Sequence, residues 1–164
     1  MASSGNDKVD PVTGLSDREI NILQTTWALL TKDLVASGLD IMLSLIDAYP
    51  DYQSLFVSFK DVPRSELPQN KKFQAHGVNV AKALNTMILN LTDVDRLVPH
   101  LEGLGSRHVI RGLTKETISN ITAVMVDVLR RNVGKDFTKE VEDIWVKTMN
   151  KAWSIMFPVP GQDS

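Results

Sequence analysis

Residues 73–84 read FQAHGVNVAKAL. Drawn as a helix, the segment places Phe73, Val80 and Leu84 on one side, and His76 stands among them. The stripe runs on through Met87, Ile88 and Leu91, which predicts a long helix over roughly 70–91. An imidazole in an apolar stripe has two readings. It is either a core histidine whose nitrogens are satisfied internally, or a ligand kept in dry surroundings.

The rest of the chain also reads as helical. Ser16-Asp-Arg-Glu19 has the Ser-x-x-Glu spacing of a capping box, and Ile20, Leu23, Trp27 and Leu30 follow at steps of three and four. A second helix is predicted over 33–48, with Val35, Leu39, Met42, Leu43 and Ile46 as its apolar positions. Pro50 opens a short turn of helix that leads to Phe56 and Phe59, and KDVPRSELPQ (60–69) is an irregular connection with room for one short helix. Residues 94–111 hold Pro99 and Gly105 and predict a shorter, less regular helix, ended by Gly112. Thr114 and Thr138 open two further helices. The last of these carries Val141, Ile144, Trp145, Thr148, Met149 and Ala152 inward. Hairpin dipeptides and sustained two-residue alternation are missing, so the expected class is all-α, with about seven or eight helices. Gly38 and Gly77 fall inside predicted helices at ~1 kcal/mol each against alanine. They mark either a close helix crossing or ordinary tolerance of glycine.

Composition narrows the chemistry. The 164 residues are 43% hydrophobic and 23% charged, with a net charge of −2, as in a globular domain with no electrostatic attraction to nucleic acid or anionic membrane. No cysteine is present, which removes disulfides, thiolate nucleophiles and cysteine-bound metal centres. The opening MASSGNDKVD has no apolar run, and no stretch nears the ~20 residues that span a bilayer, so a cytoplasmic location is expected. Residues 1–14 are expected to form a flexible arm and 158–164 a short tail.

Three histidines remain: His76, His100 and His108. His100 follows Pro99 and is expected at the surface. His108 shares a stripe with Leu101 and Leu104 and is expected to point inward. Two inward imidazoles on different helices do not make a zinc site, which takes three or four protein donors. They suffice for a group that brings its own equatorial donors, as a porphyrin does with four nitrogens around iron. Val80, one turn beyond His76, and Phe56 and Phe59 would supply apolar walls.

Taken in order, these features resemble the globin family over about 15–157. Trp27 lies in the first helix, Gly38 stands opposite Gly77, and YPDYQSLFVSF carries Pro50, Phe56 and Phe59. FQAHGVNV is similar to the family's distal-histidine segment and LGSRH to its proximal one, and other stretches look like intracellular invertebrate globins and cytoglobins. The resemblance implies haem b, with His108 as proximal iron ligand, His76 as distal residue and possible sixth ligand, and Phe56 stacked on the macrocycle. It puts Val80 and Met42 on the distal side and Leu104 on the proximal side, and makes Lys60 and Arg111 partners for the propionates. Methionine at position 42 is a modest departure from the usual leucine or phenylalanine.

The implied function is reversible binding of dioxygen for storage, transport or facilitated diffusion, with carbon monoxide and nitric oxide as further ligands. Whether unliganded iron has five or six ligands stays open. The alternatives are a redox enzyme at the same iron (a nitric oxide dioxygenase or nitrite reductase) or a sensor. Turnover would need a separate reductase, because the chain shows no flavin or nicotinamide motif. A monomer and a homodimer are equally compatible with the sequence.

Overall fold

The computed structural model describes residues 8–109 and 113–158, and for residues 108 and 109 the backbone alone. Six α-helices account for most of them: α1 Asp17–Leu30, α2 Leu34–Ala48, α3 Lys71–Leu89, α4 Val94–Val109, α5 Lys115–Val133 and α6 Lys139–Met156. Short 3-10 helices cover Thr31–Asp33, Pro50–Leu55, Arg64–Gln69 and Gly134–Asp136, and no strand occurs among the described residues. The all-α expectation therefore holds.

Side-chain oxygens set most of the helix starts. The Ser16 hydroxyl accepts from the Glu19 N–H at 3.2 Å, while the Glu19 carboxylate accepts from the Ser16 N–H at 3.1 Å. This is the reciprocal box that the spacing predicts. Asn70 accepts from the Lys72 and Phe73 N–H groups at 3.1 and 3.0 Å, which fixes where α3 begins. Thr114 and Thr138 cap α5 and α6 in the same way. Before α1, Asp10 accepts from Val12 and Thr13 at 2.7 and 3.0 Å, and the Asp10 N–H donates to the Leu15 carbonyl. Packing thus begins with the buried side chains of Thr13 and Leu15.

The core centres on two tryptophans. Trp27 and Trp145 lie with ring centroids 6.2 Å apart. Each also satisfies its indole N–H: Trp27 donates to Asn85 Oδ1 and Trp145 to Thr26 Oγ1, both at 2.9 Å. Around them pack Leu23, Ile88, Leu97, Leu101, Val128 and Leu129, all with essentially no exposure. Burial of each such side chain stabilises the fold by about 1.5–3 kcal/mol.

Glycine decides two crossings. A β-carbon on Gly38 would fall on the Gly77 carbonyl oxygen, 2.8 Å from its carbon and 2.9 Å from the Ala81 Cβ. The backbones of α2 and α3 therefore touch, and of the two readings open for these glycines the close crossing is the one observed. That crossing selects the buried side of α2: Ser37, Gly38, Ile41, Met42, Leu45 and Ile46 are buried, whereas Val35, one of the apolar positions read from the sequence, is 48% exposed. The same device recurs at Gly105, where a β-carbon would overlap the Met156 carbonyl of α6.

Two expectations for α4 need correction. The helix is continuous over 16 residues despite Pro99, which costs it one backbone hydrogen bond. Leu97 and Leu101, each 2% exposed, hold it on the core regardless. His100 is half-buried rather than at the surface, with Nε2 3.0 Å from the Ala83 carbonyl. A carbonyl only accepts, so this nitrogen donates and ties α4 to α3. Gly112, expected to end the helix, lies outside the described residues.

Two glycine substitutions should respond with opposite signs. Gly38→Ala forces a methyl group into the neighbouring backbone and should destabilise by about 3 kcal/mol or more. Gly103→Ala, whose new methyl would meet only the flexible end of Arg107 at 3.7 Å, should stabilise by about 0.5–1 kcal/mol through helix propensity. Urea unfolding of both variants checks the pair.

Candidate functional site

The site grows out of the α2–α3 crossing. His76 directly precedes Gly77 in α3, so the close approach that buries Gly77 holds His76 beside α2. The 3-10 helix Pro50–Leu55 and the turns after it then bring two aromatic rings to it. The Phe56 N–H donates to the Gln53 carbonyl at 3.1 Å, Phe59 to Phe56 at 3.1 Å and Val62 to Phe59 at 3.2 Å. This run of turns stacks the two phenylalanines, with centroids 5.1 Å apart and planes 14° from parallel.

Phe56 meets the His76 imidazole at 4.8 Å with its plane inclined 60°, and Phe59 meets it at 5.9 Å. Edge-type contacts of this kind suit the quadrupole of an aromatic ring. Behind them Phe59 packs edge-on against Phe73 at 5.3 Å. Met42, Ile46, Phe59, Leu67 and Phe73 form a buried cluster, with Leu39, Phe56 and Val80 half-buried against it. Val80 also touches the main core, as does Leu104 on α4.

The residues expected at the site can now be placed. Phe56, Phe59, His76, Val80 and Met42 come together on one wall. Within it Phe59 and Met42, each 3% exposed, stand behind Phe56 and His76. Leu104 lies on α4, which packs against α3. His108 lies one turn further on, in the last turn of α4. Lys60 is exposed directly after Phe59, and Arg111 lies outside the described residues. Sequence reasoning missed Phe73 as the ring behind Phe59, and missed Asp47 and Arg64. Arg64 donates twice to the Asp47 carboxylate, at 2.6 and 3.0 Å, and ties the 3-10 helix Arg64–Gln69 to the end of α2. Gln74 adds a bond from its side chain to the Pro68 carbonyl at 2.7 Å. Nothing in the local pattern marks these polar ties.

The donor chemistry decides what such a wall suits. Among the described residues no three His, Asp or Glu side chains converge on a point where they could hold an ion. Among the described residues a bare metal would therefore lack the three or four donors it needs. An imidazole rising from an apolar, aromatic wall fits a flat apolar group that carries its own equatorial nitrogens.

Comparison with known proteins identifies the family and the fold. The model of the family described as Globin matches residues 39–156. Cytoglobin-2 of Oryzias latipes is 27% identical, over 87% of this chain and 81% of its own length. Extracellular globin-E1 of Artemia sp. is 33% identical, over 77% of this chain and 66% of its own length. Among solved structures, the hexa-coordinate haemoglobin of Drosophila melanogaster superposes with a TM-score of 0.80 at 23% identity, covering 86% of this chain and 92% of that one. No helix among the described residues is long and apolar enough to cross a membrane.

The tie between Asp47 and Arg64 gives the connection a pH dependence. The hydrogen bonds from Arg64 hold the Asp47 carboxyl below its ordinary value, against a smaller opposing effect of burial. A depressed carboxyl stabilises the fold fully above its unfolded pKa, and the contribution is lost as pH falls through the folded value. The pair is largely exposed, so it contributes at most about 1 kcal/mol. In urea titrations, the stability difference between wild type and Asp47→Asn should be constant near neutral pH and vanish below the carboxylate range.

Proposed function

This chain belongs to the globin family, and we propose on that premise that it holds haem b between α3 and the end of α4 and binds dioxygen reversibly. The observation that carries the reading is the half-buried imidazole of His76, edge-on to Phe56 at 4.8 Å on an otherwise apolar wall. Haem, held by His108 and Phe56, would supply an iron able to bind a diatomic gas.

In this reading His108 would supply the proximal nitrogen, and a ligating imidazole is in general oriented by a hydrogen bond from its other ring N–H. Phe56 packs on the macrocycle, backed by Phe59 and Met42. Val80 and Leu104 contribute apolar surface from α3 and α4, and Lys60 and Arg111 pair with the propionates. The wall excludes water and protons, which slows oxidation to ferric iron. His76 donates an N–H to a gas that carries partial negative charge. Such a bond contributes ~1.5–3 kcal/mol, roughly 10- to 150-fold in affinity, and it favours dioxygen over the less polarised carbon monoxide. Nitric oxide is a further ligand of the same position.

Were His76 to bind the iron itself when no gas is present, apparent gas affinity would fall by the fraction of open sites, and the visible bands of the deoxygenated ferrous protein distinguish the two states. The physiological role in this reading is storage, transport or facilitated diffusion of dioxygen. Redox turnover at the site would require a separate electron donor.

Absorption spectra of the purified protein, oxidised, reduced and gas-bound, test the reading directly. A preparation that takes up hemin with a sharp Soret band supports it, and a colourless one that cannot be loaded ends it. His108→Ala should lose haem or hold it loosely; unchanged haem content and spectrum would reject the proximal assignment. His76→Leu should release dioxygen and autoxidise about tenfold faster or more, as loss of one charge-assisted hydrogen bond requires. Stopped-flow traces that show neither change would reject the distal role.

A further inference from the structure

The turns that carry Phe56 and Phe59 are not held by a helical ladder. Each closes over three residues, through the carbonyls of Gln53, Phe56 and Phe59. Phe59 anchors the segment in the buried cluster at 3% exposure, while Val57 beside it is 80% exposed. One polar side chain bridges the turns on either side. The Gln53 Nε2 donates to the Phe59 carbonyl at 2.9 Å and to the Val62 carbonyl at 2.7 Å. An amide nitrogen has two hydrogens, and these two acceptors account for both. The Phe59 carbonyl in turn receives the Val62 N–H as well as the Gln53 amide, so the 53–62 segment forms a closed polar ring with its two phenylalanines stacked.

We propose that Gln53 is a positioning residue: its amide closes this segment and so fixes the Phe56–Phe59 wall against which His76 rests. The consequence for haem rests on the reading given above. With the clamp in place, Phe56 stays edge-on to the imidazole and retains its contact with the bound group. Without it, the turns loosen, the half-buried Phe56 shifts from His76, and haem leaves faster. The role depends on donors at this position rather than on bulk. Methionine has nearly the same shape and no donor, a glutamate would set its oxygens against two carbonyls, and a lysine ammonium restores N–H groups.

Gln53→Met and Gln53→Lys in the full-length chain separate these contributions. Transfer of hemin to an acceptor protein should be about tenfold faster from Gln53→Met, the effect of losing roughly one net hydrogen bond, and near the wild-type rate from Gln53→Lys. In the hemin-free chain, the ring-current shifts of the His76 imidazole protons should shrink in Gln53→Met and persist in Gln53→Lys, with helix content by circular dichroism unchanged in both. Wild-type hemin loss together with wild-type His76 shifts in Gln53→Met overturns the proposal. So does equal impairment of the two variants, because donors would then be irrelevant. Should Gln53→Met fail to fold, the wild-type chain still decides: slow exchange of the Gln53 side-chain amide protons supports the clamp, and exchange at the rate of a free amide rejects it. Failure of the wild type to bind hemin overturns the haem reading alone, and the His76 shifts then still report whether Gln53 sets the wall.

Discussion

Contact between the backbones of α2 and α3 at Gly38 and Gly77 is the constraint from which the rest of the site follows. Helices usually pack 8–10 Å apart because side chains keep them there. Here both positions lack a side chain, and the carbonyl of Gly77 occupies the place of a β-carbon on Gly38. The approach rotates α2 until Met42 and Ile46 face the aromatic cluster and Val35 faces solvent. It also fixes His76, the residue before Gly77, at the edge of a crossing that no side chain can widen. The imidazole is then half-covered by whatever the 50–70 connection brings over it, and that connection brings Phe56 and Phe59.

Polar groups make this packing specific rather than merely compact. Each indole N–H finds an acceptor on another helix, including Trp153 on Thr122 at 2.8 Å. Among the described residues no buried side-chain nitrogen or oxygen lacks a partner. Shifting one helix against its neighbours would leave such groups unpaired, at a cost greater than the bond itself contributes. The surface ion pairs, such as Lys139–Asp143 and Arg96–Asp93, are largely exposed and add little. Arg64–Asp47 differs in its consequence, not in its strength, because it fastens the connection that carries the aromatic wall.

Much of the architecture was legible in the residues themselves. The capping box at Ser16, the caps at Thr114 and Thr138, and the three-and-four spacing of Ile20, Leu23, Trp27 and Leu30 each describe one helix, and helices obey local rules. His76 could be singled out because an imidazole among apolar residues conflicts with its surroundings wherever it occurs, whereas Met42 and the stacking role of Phe56 entered through the globin resemblance. Periodicity alone failed where a contact with another element overrode it. Val35 fits the apolar spacing of α2 but faces away from α3. Pro99 predicts a less regular helix, yet Leu97 and Leu101 hold it on the core and it runs unbroken. His100 reads as exposed but finds a carbonyl on α3.

The sequence by itself thus determined which segments are helical, where most of them start, and that an imidazole stands in the apolar stripe of α3. These properties depend on backbone geometry and on neighbours three or four residues away. Only the tertiary structure decided which face of α2 is inside, that Gly105 lets α4 meet α6, and that Phe56 and Phe59 stack beside His76. The same holds for Gln53, whose amide bonds to carbonyls six and nine residues away. Such contacts depend on how non-helical turns fold back, and no repeat in the chain encodes the direction of a turn.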